Sequence, residues 1–134
     1  MGKPKIKHIA IFARDPRGLA EFYRDVLEME IINSDDEGSY FVSDGYLTLA
    51  LLPHQLQGSA PVGINHFGFT IEDMAEMSQR FAARGLEVPK RRGVDRPYAE
   101  FRGADPAGNW FDLSTHGYER AATPADRERQ KAKV

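Results

Sequence analysis

Three residues of metal-binding type stand far apart in this sequence: His8, His66 and Asp112. Two neutral imidazoles and one carboxylate can grip a divalent cation from one side and leave its other coordination positions open, an arrangement that suits Fe(II) and related ions. Open positions admit substrate oxygens, as a catalytic metal requires. A single histidine on a strand is most often a satisfied core residue. Here two of the chain's four histidines occupy matching places in a repeated pattern, which favours the metal reading.

The repeat supplies the elements that must position them. Ile6-Lys7-His8-Ile9-Ala10-Ile11-Phe12 resembles Ile64-Asn65-His66-Phe67-Gly68-Phe69-Thr70, and both runs have the β-branched and aromatic content of strands. An aspartate follows each at the same distance and opens a helical pattern. Asp15 caps the first, with Pro16 at the first helical position and Leu19, Phe22, Tyr23, Val26 and Leu27 as its apolar stripe. Asp73 caps the second, with Glu76 completing the pair, Met74, Met77 and Phe81 as the stripe, and Gly85 as the stop. Strands follow in each copy: Ser39–Val42 and Tyr46–Leu52 around the turn Ser43-Asp44-Gly45, then Tyr98–Arg102 and Trp110–Ser114 around Asp105-Pro106-Ala107-Gly108-Asn109. A further strand is expected near Glu30–Ser34 and near Glu87–Lys90. The reading is α+β, in two tandem βαβββ modules. The modules span 1–53 and 63–118, joined by a linker over 54–62 and followed by a charged tail over 119–134.

Strand alternation assigns faces. Phe111 and Leu113 belong against a helix, so Trp110, Asp112 and Ser114 face the other way. Ala99 and Phe101 likewise turn Tyr98, Glu100 and Arg102 toward the candidate ligands, and Leu47, Leu49 and Leu51 turn Thr48 and Ala50 that way. His8 and His66 share their face with the small residues Ala10 and Gly68. Arg102 can pair with a carboxylate or phenolate, Tyr98 can donate a hydrogen bond or a proton, and Glu100 can serve as a general base. These three are the candidate catalytic residues. Trp110, Tyr46 and Phe12 offer aromatic walls. His54 reads as an exposed linker residue and His116 as a capping or surface residue. The basic stretch from Pro89 to Pro97 reads as solvated charge at a loop.

Composition narrows the function. The 134 residues include 18 Lys+Arg and 20 Asp+Glu, a formal net charge of -2 that creates no strong pull toward nucleic acid or an anionic membrane. There are no cysteines, so thiolate ligands, disulfides and thiol nucleophiles are excluded. No apolar run has the length of a membrane span. The N-terminal stretch lacks the apolar core of a signal peptide, which points to the cytoplasm.

The leading strands with His8 and His66, the helices after Asp15 and Asp73, and above all Asp105-Pro106-Ala107-Gly108-Asn109-Trp110-Phe111-Asp112-Leu113 resemble the vicinal oxygen chelate superfamily, the group of glyoxalase I, extradiol dioxygenases and bleomycin-resistance proteins. The resemblance runs from Lys5 to Gly117. It implies two tandem βαβββ modules forming an incomplete barrel around a metal-binding cleft, with metal ligands at His8, His66 and Asp112, where Asp replaces the usual Glu, and it implies a homodimer. The fourth ligand of glyoxalase I falls on Thr48 or Ala50, neither a carboxylate, so three protein ligands are expected. The dioxygenase tyrosine falls on Arg102, and the threonine of fosfomycin-modifying enzymes falls on Ala10. The resemblance thus implies a metal-dependent oxidoreductase of extradiol-dioxygenase type, acting on a small oxygen-chelating substrate, anionic or aromatic. It would carry one divalent metal per site, Fe2+ before Mn2+, Ni2+ or Zn2+. The alternatives are a glyoxalase-like lyase or isomerase working through a metal-bound enediolate, or a metal-free binding protein of bleomycin-resistance type.

Overall fold

The computed structural model describes residues 2–54, 60–93 and 99–116. The elements run β1 (Lys5–Ala13), α1 (Pro16–Leu27), β2 (Glu30–Ser34), β3 (Tyr40–Ser43), β4 (Thr48–Pro53), β5 (Gly63–Thr70), α2 (Met74–Ala83), β6 (Lys90–Arg91), β7 (Phe101–Ala104) and β8 (Trp110–Ser114). This is βαβββ twice over, with strands neighbouring in the orders β2-β3-β4-β1 and β5-β8-β7-β6. The chain forms two compact units, Lys7–His66 and Met1–Ile6 with Phe67–Val134. No helix among the described residues is long and apolar enough to cross a membrane.

In the unit Lys7–His66, β1 pairs in parallel with β4, placing His8 beside Thr48 and Ala10 beside Ala50. Antiparallel β3 and β2 extend the sheet outward. The Asp15 carboxylate accepts from Gly18 N at 3.0 Å and caps α1, with Pro16 in the first turn. The helix packs Leu19, Ala20 and Tyr23 against Val42, Leu49 and Leu51. The apolar stripe expected from the sequence is corrected here: Phe22, Val26 and Leu27 are exposed. Ala20 is completely buried, and Leu19 and Tyr23 are the stripe residues that pack in this cluster beside it.

In the other unit, β5 pairs in parallel with β8 and β8 pairs antiparallel with β7. Asp73 caps α2 by accepting from Glu76 N at 3.1 Å. Phe67, Phe69, Met74, Phe81 and Phe101 pack around Ile71, Met77, Phe111 and Leu113. Gly85 follows the helix at φ +72°, a conformation that glycine adopts without strain. Edge strand β6 is only Lys90–Arg91, not Glu87–Lys90, and β7 begins at Phe101 rather than Tyr98. Tyr98, part of the 54–62 linker and the tail over 119–134 lie outside the described residues.

One turn design serves two hairpins. Between β7 and β8, Asp105 Oδ1 accepts from Ala107 N and Asn109 N, both at 2.9 Å, while Gly108 takes φ +90°. Between β2 and β3, Asp35 Oδ1 accepts from Glu37 N at 3.0 Å and Ser39 N at 2.9 Å, with Gly38 at φ +91°. A carboxylate that gathers backbone N–H groups, followed by a left-handed glycine, reverses the chain and sets the register of the next strand. The first of these turns therefore fixes the register of Asp112.

Candidate metal centre

His8 lies on β1, on the face opposite Ile11, which packs in the α1 core. His66 lies on β5, on the face opposite Phe67 and Phe69. Both are buried, and their rings meet edge-on at 6.0 Å between centroids and 88° between planes. Asn65 Oδ1 lies 2.7 Å from His66 Nδ1. An amide oxygen only accepts, so a proton on Nδ1 would face it and leave Nε2 as the ring atom suited to ligate a metal.

Asp112 is 2 % exposed and lies opposite Gly68 on β5 and Arg102 on β7. All three candidate ligands, His8, His66 and Asp112, are buried. Two imidazole nitrogens and one carboxylate oxygen are a donor set that fits a divalent cation.

Two arginines attend the carboxylate. Arg92 Nη1 donates to Asp112 Oδ1 at 3.0 Å, and Arg102 Nε is 3.9 Å from the same oxygen. The Arg102 guanidinium also covers the Trp110 ring at 3.6 Å. Arg92 corrects the reading of the basic stretch as solvated charge: its side chain is only 19 % exposed. The antiparallel register explains this. Lys90 pairs with Arg102, and Arg92 N donates to Glu100 O at 2.8 Å, so Arg92 continues the ladder on the Asp112 face. The usable signal was alternation through Lys90 and Arg92, hidden by surrounding proline, glycine and charge.

Glu100 is buried on the same face, two residues before Arg102. Among the described residues neither of its carboxylate oxygens accepts a hydrogen bond. His116 Nε2 approaches Oε1 at 3.3 Å, which gives this residue a contact that a surface role did not anticipate. His54 is half-buried rather than exposed, with its ring against the Ala60 carbonyl. Tyr46 is exposed beneath the Lys7 ammonium and Phe12 is fully buried, so neither reads as an open aromatic wall.

An antiparallel-extended βαβββ pair of this kind, with histidines on both leading strands and a carboxylate on the last, defines a protein class. The chain belongs to the Glyoxalase/Bleomycin resistance protein/Dioxygenase superfamily, whose profile matches residues 5–113. Its fold is similar to that of a hypothetical protein, BH1468, from Bacillus halodurans C-125 (TM-score 0.61, 16% identity, covering 84% of this chain and 94% of that one). It is also similar to methylmalonyl-CoA epimerase from Mycobacterium tuberculosis (TM-score 0.56, 18% identity, 81% and 85%). A third likeness is to the 2,3-dioxygenase LapB from Pseudomonas sp. KL28 (TM-score 0.62, 19% identity, 92% of this chain), of which the chain spans 48%. No curated protein sequence matches.

Proposed function

We propose that this chain is a metal-dependent enzyme acting on a small substrate that presents two adjacent oxygens. The observation that carries the reading is the burial of His8, His66 and Asp112, with the two imidazoles meeting edge-on at 6.0 Å between centroids. These three residues would hold one divalent ion, Fe2+ first, with Mn2+, Ni2+ or Zn2+ as alternatives. The bound ion would polarise the substrate oxygens and stabilise negative charge that develops on them. Glu100 serves as the base. Its oxygens are buried and accept no hydrogen bond among the described residues, so the carboxylate is available to take a proton from a carbon or hydroxyl next to those oxygens. Arg102, held flat on Trp110, orients an anionic substrate group. Tyr98 is retained as a candidate proton donor.

Proton transfer, as in an isomerase or lyase, is the finer reading that this buried base favours, and methylmalonyl-CoA epimerases among the similar folds agree with it. The second reading is an extradiol-type oxidoreductase, favoured by the likeness to a 2,3-dioxygenase. A homodimer is the companion proposal from the family resemblance, to be checked by sedimentation.

The test is elemental analysis of protein purified without chelator, followed by anaerobic and aerobic assays. One ion per chain that His66→Ala abolishes supports a metal enzyme. Absence of metal in protein that also fails to take up added Fe2+ or Zn2+ leaves only the binding-protein alternative. Turnover of oxygen chelators without O2 supports proton transfer, and O2 uptake with catechols supports the oxidoreductase.

A further inference from the structure

We propose that His116 conducts protons between the buried Glu100 carboxylate and solvent. The inference rests on the reading of Glu100 as the base. A buried base has to exchange its proton after each transfer. Both Glu100 oxygens are sealed from solvent and accept no hydrogen bond among the described residues. The Glu100 side chain is 8 % exposed, whereas the His116 side chain beside it is 49 % exposed, with Nε2 at 3.3 Å from Oε1. His116 sits just beyond β8, where its backbone N–H donates to Ser114 Oγ at 3.0 Å and anchors the backbone that carries the ring.

The other groups on this face do not serve. Arg92 and Arg102 hold their protons at every working pH. The hydroxyls of Thr70, on β5, and Ser114 do not titrate, and Asp112 is a candidate ligand. Imidazole is the side chain whose charge changes near neutrality. In the outward direction the Glu100 O–H bond breaks and an Nε2–H bond forms; the imidazolium then releases its Nδ1 proton to water. Inward, water protonates Nδ1 and the Nε2 proton passes to the carboxylate. No electrons are transferred.

Two measurements test the path. In protein without added metal, the 15N ring resonances of His116 shift in Glu100→Gln and stay unchanged in His66→Ala. Resonances indifferent to Glu100→Gln overturn the proposal. In Zn2+-loaded protein, hydrogen exchange at C3 of hydroxypyruvate in D2O slows by about tenfold or more in His116→Ala, and added imidazole restores it. Glu100→Gln also slows exchange, and imidazole does not restore it. Wild-type exchange in His116→Ala, or a loss that imidazole leaves untouched, overturns the path alone. A wild-type protein that binds Zn2+ and exchanges no hydrogen removes Glu100 as the base, and the path with it.

Discussion

Arg92 Nη1 donates to Asp112 Oδ1 across 3.0 Å, tying the residue just past β6 to β8 through residues twenty positions apart. The contact supplies a buried carboxylate with positive charge from within the chain. It also engages one oxygen of the candidate ligand, so a cation sharing Asp112 meets a carboxylate already oriented by a guanidinium.

Arg92→Ala therefore destabilises the metal-free protein by about 2 kcal/mol, read as a lowered midpoint in denaturant. Saturating divalent metal narrows the gap to wild type, because the ion takes over neutralisation of Asp112.

Removing a candidate ligand is expected to act on metal binding rather than on fold. Asp112→Asn and His66→Ala lower metal affinity by about a hundredfold or more, measured by calorimetric titration with Zn2+. Circular dichroism in the far ultraviolet stays that of the parent.

Acid weakens the turns before it weakens the core. Hydrogen bonds from the Leu47 and Tyr46 backbone N–H groups hold the Asp44 carboxyl below its usual range, and the Asn109 side chain does the same to Asp105. A depressed folded-state value contributes stability above the unfolded value, which is lost as pH falls through the folded one. Stability thus declines below about pH 4, and Asp44→Asn flattens that part of the profile in pH-dependent melting.

Core packing sets a larger cost. Leu51 is completely buried against α1 and β3. Leu51→Ala leaves a cavity and costs about 3 kcal/mol, while Asp15→Ala, which removes only a helix cap, costs about 1 kcal/mol. Chemical denaturation of the two variants checks the ranking.

The βαβββ repeat was legible because its marks are local: a histidine strand, a capping aspartate, an apolar stripe and a glycine stop recur in order. Alternation also placed Asp112 opposite Phe111 and Leu113. What local pattern could not supply was register between distant segments. Arg92 reads as one basic residue among several until β6 is paired with β7. Glu100 and His116 meet because the antiparallel pairing of β7 with β8 brings the start of one strand beside the end of the other. The exposed Phe22, Val26 and Leu27 show the same limit: periodicity finds an apolar helix face and not which part of it packs against the sheet.

The chain holds a single tryptophan, and it is Trp110, with the Arg102 guanidinium stacked 3.6 Å above its ring and reaching to 3.9 Å from Asp112 Oδ1. The protein thus contains its own fluorophore, with a charge poised between indole and carboxylate. Any occupant that draws Arg102 aside changes the emission of that indole, so filling of the centre can be followed optically in unlabelled protein.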